Sequence, residues 1–276
     1  MKRVFLLAVL SLSLIFLWAQ RNDGWVNLFN QKDLYGWDTY LDIETDSLGN
    51  KVSSAPLGIN NDPNRVFSVV NDEGVPVIRV SGKIWGGLST QKEYADYHLQ
   101  LKFKWGKDST WGKKRGKPRD SGLLYHGVGL LGANREPWLT SQEFQIEEGN
   151  TGDYWGVEGA GQEIHAIKRN DRKYYYHSNG PLLAFYRQSE TGRHCKKDGD
   201  GEYDRGSWNT LDLYCFKEKS IHVVNGKVVM ILSNSFKVTG NTRLPLTKGK
   251  IQLQSEGAEI FYKDIRIRSI ASLPDL

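Results

Sequence analysis

From residue 66 to the C-terminus, apolar and polar residues alternate with a period of two and no long stretch carries the helical period, which restricts the chain to β-sheet. Strands are expected over 66–70, 76–81, 88–91, 97–105, 122–128, 142–148, 208–216, 220–224, 227–232, 250–254 and 259–268. Many short strands separated by turn residues read as an all-β sandwich or jelly roll. The sharpest local signal is the hairpin over 220–232, where Asn225-Gly226 supplies the two positive φ angles of a type I′ turn. No stretch of linker composition interrupts residues 20–276, so they read as one domain. Three insertions break the alternation. One is polar (42–64), one is basic (106–119), and one is long and rich in aromatics and Gly (149–206). The basic one carries Lys107, Lys113, Lys114, Arg115, Lys117 and Arg119 around Trp111. Long loops on a rigid sandwich are where binding sites are usually built.

The first 19 of the 276 residues stand apart. Met1-Lys2-Arg3 is a positive start, Val4 to Trp18 is an uncharged apolar run, and Ala19-Gln20 is a plausible cleavage junction. The run is too short to span a membrane and fits a cleaved secretion signal, so the mature protein is expected in the periplasm or outside the cell, with no stable membrane insertion. An uncleaved anchor is the alternative, because Leu17 is a poor residue three before the cut. The formal charge of +5 falls to +3 without Lys2 and Arg3. That surplus is too small for the broad basic face a nucleic-acid partner requires. Nine Trp, 13 Tyr and 10 Phe argue against disorder, and the tryptophans exceed what a core asks for. Cys195 sits in a polar segment and Cys215 in a strand-like run; a disulfide and two free thiols both remain open.

The most informative segment is Ser141-Gln-Glu-Phe-Gln-Ile-Glu-Glu-Gly149. On a strand, Glu143, Gln145 and Glu147 share one face while Phe144 and Ile146 point into a core. Glu148 breaks the alternation, and a bulge there would turn it onto the polar face in place of Glu147. A row of carboxylates and an amide either lines a cleft or forms the solvated outer face of a sheet. The run resembles the paired-Glu strand of laminarinase- and lichenase-type β-glucanases, a concanavalin-like jelly-roll group. In that group the first Glu is the nucleophile and the last the acid/base. Gln145 replaces the central Asp of that motif, which puts ordinary retaining hydrolysis in question.

A longer ordered series is similar to the 3-keto-disaccharide hydrolase family, also concanavalin-like. It comprises Leu28-Phe-Asn-Gln-Lys-Asp-Leu-Tyr-Gly-Trp37, Asp120-Ser-Gly-Leu-Leu-Tyr-His126, Glu143-Phe-Gln145 and Gly149-Asn-Thr-Gly-Asp-Tyr-Trp155. Trp208-Asn-Thr, Asn225-Gly-Lys227, Leu253-Gln-Ser-Glu-Gly257 and Tyr262-Lys-Asp-Ile-Arg-Ile267 complete it. The resemblance implies a concanavalin-like jelly-roll sandwich of two antiparallel sheets that acts on a keto-sugar. Three positions depart from the family pattern: Asp120 stands for Asn, His126 for Arg and Glu256 for His.

A carbonyl at C3 of a sugar acidifies the hydrogen on C2, so a base can remove it and the oxygen on C1 can leave, with water adding afterwards. That path needs one base, one acid and a group that stabilises an enolate. Glu143, Glu148, Asp120, His126 and Glu256 are the candidates for base and acid, with Glu143 the first choice of base and His126 of acid; the roles could be exchanged. Gln145 or a bound divalent cation, calcium or another, would polarise the carbonyl, although nothing in the sequence requires a cofactor. Tyr125, Glu147 and Gln254 join Gln145 and Glu256 as candidate substrate contacts, and Trp85, Trp111, Trp138 and Trp155 offer flat rings for sugar stacking. Each group also has a structural reading. Asp120 suits a turn, His126 a half-buried hydrogen-bonded site, Glu256 a surface hairpin, and the basic segment a solvated flap. His98, His165, His177 and His194 are scattered singly and read as structural or surface residues. No G-x-S-x-G, H-E-x-x-H, phosphate loop or zinc spacing occurs. The expectation is a carbohydrate-active enzyme that cleaves a glycosidic bond, with an oligosaccharide or keto-sugar as substrate. The alternative is a non-catalytic, lectin-like module, since aromatics and polar groups serve binding equally well.

Overall fold

The computed structural model describes residues 24–107 and 110–275. The expected signal, residues 1–19, lies outside the described residues. Two antiparallel sheets of twelve and nine strands make up the fold. The larger sheet runs in the order Tyr174–Tyr176, Ala160–Lys168, Lys227–Thr239, Lys219–Val224, Asn209–Phe216, Tyr97–Trp105, Ile260–Ser269, Val75–Val80, Phe67–Asp72. The smaller runs His194–Cys195, Tyr154–Val157, Thr140–Glu147, Asp120–Val128, Lys248–Ser255, Gly86–Thr90, Trp37–Leu41, Gly58–Ile59. Strands distant in sequence are neighbours in both sheets. This is a concanavalin-like jelly-roll sandwich, and among the described residues the one helical piece is a 3-10 turn at Gly112–Lys114.

Alternation decides what each face carries. Leu99, Leu101, Phe103 and Trp105 from the larger sheet meet Leu123, Phe144, Ile146 and Leu253 from the smaller one in a single buried cluster. Complete burial of each such side chain contributes about 1.5–3 kcal/mol. The turn at Asn225-Gly226 has φ of 50° and 79° and closes the hairpin as expected.

Two candidate site residues lie on the wrong side of this layer. Tyr125 faces the interior, where its hydroxyl donates to Gln162 Oε1 at 2.9 Å and sits near Ser220 Oγ (2.9 Å) and His222 Nε2 (3.1 Å). It is a core residue and not a substrate contact. His126 follows at φ 53°, within a bulge where the register shifts between Tyr125 opposite Gln142 and Val128 opposite Thr140. The imidazole is buried between Tyr97 and Tyr125, among the described residues no side chain bonds to it, and burial pushes its pKa down to about 4. The acid assigned to His126 is therefore corrected, because the imidazole is shut inside the sandwich, away from the cleft, and lacks the imidazolium proton at neutral pH. The cysteines are both buried and free, Cys215 in the main core and Cys195 in a satellite cluster.

Candidate functional site

The outer face of the smaller sheet carries the polar row. Phe144 and Ile146 point into the core, so Glu143 and Gln145 point out, beside Asp120 and Gly122 on the neighbouring strand. Gln254, at the end of Lys248–Ser255, and Glu256 just beyond it approach from the other flank, and Trp155 stands opposite Glu143 on Tyr154–Val157. These residues line a cleft of about 170 Å³, together with Lys114, Glu136, Trp138 and Arg193.

Gly122 makes the floor. A Cβ built there would lie 2.4 Å from both Glu143 Oε1 and Gln254 Oε1, so only glycine lets the carboxyl and the amide close over that strand. Gln145 Nε2 donates to Asp120 Oδ1 at 3.1 Å, while Lys114 Nζ bridges Asp120 and Glu256, the latter at 3.1 Å. The Oε1 atoms of Gln145 and Gln254 are buried without a hydrogen-bond partner. Unsatisfied amide oxygens at a cleft floor are costly to a fold and suit a ligand that brings hydroxyl donors.

Four carboxyls, Asp120, Glu136, Glu143 and Glu256, share this space with the Lys114 ammonium and the Arg193 guanidinium. Burial and then the neighbouring Glu256 and Asp120 raise the Glu143 pKa well above the carboxylate range, and among the described residues no group hydrogen-bonds to its carboxyl. Burial and Asp120 raise Glu256, and burial raises Asp120; Lys114 pulls both back. Burial works against the Lys114 charge, yet Glu256 and Asp120 together hold its pKa above the ordinary lysine value. The cluster therefore separates Glu143, which holds its proton most firmly, from Glu256, raised to about 8, and Asp120, raised to about 6, both of which Lys114 pulls back towards ionisation. At the opposite wall Arg193 clasps Glu136 with two hydrogen bonds of 3.2 Å, and its guanidinium lies 5.3 Å from the Trp155 ring. The other neighbour of that ring is His194, stacked at 4.1 Å and fixed by Asp153 Oδ2 at 2.9 Å.

Of the residues singled out in the sequence, Asp120, Glu143, Gln145, Trp155, Gln254 and Glu256 come together in the cleft. Glu147 stays at its edge, accepting from Asn150 Nδ2 at 2.7 Å across the turn that ends the strand. Glu148 is directed away. No bulge turns it inward, and its carboxyl pairs with Arg205 at 2.7 Å and Arg119 at 3.4 Å, which hold its pKa down despite partial burial. Glu148 is corrected from a catalytic candidate to a surface ion-pair residue. Trp85 is stacked on Trp138 at 5.5 Å and stands beside the cleft. Trp111 braces the basic loop, its backbone N–H donating to Gly257 O at 2.6 Å and its indole N–H to Thr45 O at 3.3 Å. Lys114, Glu136 and Arg193 were not singled out for the site by the sequence. The only signal for Lys114 was that the basic segment runs straight into Asp120. Among the described residues, no group of three or more His, Cys, Asp or Glu side chains is arranged to hold a metal ion.

No functionally curated protein matches the chain. In fold, it is similar to a candidate glycosyl hydrolase of Parabacteroides distasonis ATCC 8503, with 17% identity, 90% of this chain and 94% of that one covered, and a TM-score of 0.49. It is also similar to the alginate lyase AlyC3 (13% identity, 85% and 90% covered, TM-score 0.46). A Bacillus subtilis protein with a galectin-like fold gives 12% identity, 74% and 86% covered, and a TM-score of 0.42. The model of the 3-keto-alpha-glucoside-1,2-lyase-like domain matches residues 24–268, nearly all of the described sandwich, and the chain belongs to that family.

Proposed function

We propose that the cleft cleaves the glycosidic bond of a 3-keto-glycoside by elimination across C1 and C2. Glu256, whose pKa burial and Asp120 raise to about 8 against the pull of Lys114, takes the hydrogen from C2 in its ionised form, and the electron pair passes into the C3 carbonyl as an enolate. The C3 carbonyl then re-forms, the C1–C2 double bond forms, and the C1–O bond breaks. The departing oxygen takes its proton from Glu143, which the cleft keeps protonated. If water follows, its proton returns to Glu143 as its oxygen joins C1, and Glu256 gives its proton back to C2. The Gln254 amide and the Lys114 ammonium are the donors within the cleft for the enolate oxygen, and Asp120, tied to Lys114 and Gln145, is a fixed charge that orients both.

The observation that carries this reading is the convergence of Glu143, Glu256 and Asp120 in one cleft, with a single ammonium set between only two of them. The test is turnover of a 3-keto disaccharide bearing deuterium at C2. A primary isotope effect is expected, together with a loss of about 10²–10⁴-fold in kcat for Glu143→Gln with binding retained. Equal cleavage of the unoxidised disaccharide, or binding without turnover by wild type, would sink the proposal; the second result would instead identify a sugar-binding module.

A further inference from the structure

The cleft occupies the outer face of the smaller sheet, and the outer face of the larger sheet holds a cavity of its own. Leu99, Leu101 and Phe103 point into the core, so Gln100 and Lys102 point outward on the side opposite the cleft. There the strand Ile260–Ser269 changes partners along one edge. Val75–Val80 pairs with it only from Ile260 to Tyr262, because Pro76 has no N–H to offer further on and Asp264, at φ 52°, lies in a bulge. Past the bulge, Val26–Asn27 takes over the edge, opposite Ile267 and Arg266. Between the two partners lies a cavity of about 300 Å³. Phe29, Val75, Pro76 and Ile265 give it apolar walls, and Asn27 and Gln31 bring amides.

Three cations, Lys102, Lys263 and Arg266, line this cavity with one carboxyl, Asp264. Lys102 and Lys263 stand directly opposite each other on neighbouring strands, a cost to the sheet that an anion bound between them would relieve. Asp264 answers only Lys102, at 2.9 Å, and with the two side chains 39% and 42% exposed the pair is weak. Among the described residues, neither Lys263 nor Arg266 meets a carboxylate; the Lys263 ammonium rests 4.0 Å from the Trp208 ring. Arg266 is held in place by a neutral group. Its Nε and Nη2 donate to Gln100 Oε1 at 2.9 and 2.6 Å, and Gln100 Nε2 in turn donates to Asp212 at 2.7 Å. The guanidinium is thereby oriented while its charge stays uncompensated, and Nη1 has no hydrogen-bond partner among the described residues. The balance is opposite to that of the cleft, where carboxyls outnumber cations and carboxylates bind both Lys114 and Arg193.

We propose that this cavity is a second binding site and that it takes an acidic sugar unit. The carboxylate or sulfate sits among Lys102, Lys263 and Arg266, the ring lies against Val75 and Pro76, and Asn27 and Gln31 meet its hydroxyls. The volume is more than a bare oxyanion fills and is at the small end of the range for small-molecule sites. The test is a calorimetric titration of the whole protein with a uronate-bearing disaccharide, its sulfated and neutral counterparts, and inorganic sulfate. At low salt the acidic sugars are expected to bind about 10-fold more tightly than the neutral one, as two or three partly exposed ion pairs allow. High salt removes the preference. Lys263→Gln lowers it about threefold, and Lys263→Gln together with Arg266→Gln abolishes it. Lys263→Gln alone leaves the Arg266–Gln100–Asp212 bonds intact, so the test survives if the double variant fails to fold. Gly122→Ala, which alters the cleft, is expected to bind acidic sugars as wild type does. A preference shared by uronate and sulfate marks a general oxyanion site, and one confined to either marks a selective one; both support the proposal. Equal binding of acidic and neutral sugars, or a preference untouched by Lys263→Gln, overturns it. A preference lost in Gly122→Ala puts the acidic sugar in the cleft, and inorganic sulfate binding as tightly as the sulfated sugar leaves an anion contact alone; each overturns it too. Turnover of a keto-disaccharide enters none of these outcomes, so the catalytic reading stands or falls separately.

Discussion

Gly122 governs the site more than any charged residue, because it decides whether the charged residues can meet. Gly122→Ala places a methyl group 2.4 Å from Glu143 Oε1 and Gln254 Oε1, and those side chains must swing aside. Displacements near 1 Å at reacting groups cost roughly 10²-fold in rate. We expect kcat/KM to fall by about that factor while the far-UV spectrum and the core remain intact; unchanged kinetics would show that the cleft floor does not position Glu143. At this scale the sequence was partly legible. Strand alternation identified Glu143 and Gln145, and the family-like run Leu253-Gln-Ser-Glu-Gly257 identified Gln254 and Glu256. It failed at His126, because a single positive φ inverts which side of the sheet a residue faces and the alternation rule has no means of seeing it. Arg193 and Glu136 were hidden for another reason: their bidentate pair joins loops 57 positions apart, and no local pattern encodes it.

Among the elements, the basic loop departs most from its sequence reading. Six cations in fourteen positions suggest a solvated flap, yet the chain folds back onto Gly257, packs beside Gly49 and inserts Lys114 between two buried carboxyls. Attraction to an acidic cluster assembled from distant strands seats the loop, and Trp111 fastens it. Trp111→Ala removes the indole bond to Thr45 and the ring beneath Lys83. Because the ring is outside the main core, the expected result is a fall in kcat/KM of about tenfold or more with a Tm close to wild type; a large Tm loss with normal kinetics would show that the loop serves only the fold. The strands themselves were legible in part: every segment predicted from period-two alternation overlaps an observed strand, but others, Trp37–Leu41 and Tyr154–Val157 among them, went unpredicted. Ala160–Lys168 was missed inside the long insertion. Ile164 is the one large apolar residue it buries fully; Ala160, Gly161, Gln162 and Ala166 are small or polar, and Gln162 belongs to an internal hydrogen-bond network with Tyr125 and Ser220. A strand that buries amide groups lacks the hydrophobic alternation that announces strands.

For the whole molecule, burying the site's carboxyls sets how stability depends on pH. Burial holds His126 near a pKa of about 4 and His222 near about 3. Both bind protons better unfolded, so their contribution to stability rises with pH until the ordinary histidine value near 6.5 is passed. Glu143 and Glu256 act in the opposite sense. Their folded pKa values lie above the ordinary 4.5, so the folded chain holds protons that the unfolded chain has lost, and stability falls as pH climbs from 4.5 through the folded values. Between 4.5 and 6.5 the two effects oppose each other; above 6.5 only the carboxyl effect remains. Each proton so held gives a slope of about 1.4 kcal/mol per pH unit, which for a chain of this size shifts Tm by about 3–5 °C per unit. Thermal unfolding followed from pH 6.5 to 8.5 should therefore show wild type losing stability and Glu143→Gln losing less, so that the catalytically impaired variant is the more stable one at pH 8. Parallel curves for the two proteins would mean that Glu143 ionises in the folded state as readily as in the unfolded chain, and the proton it is assigned to deliver would not be there.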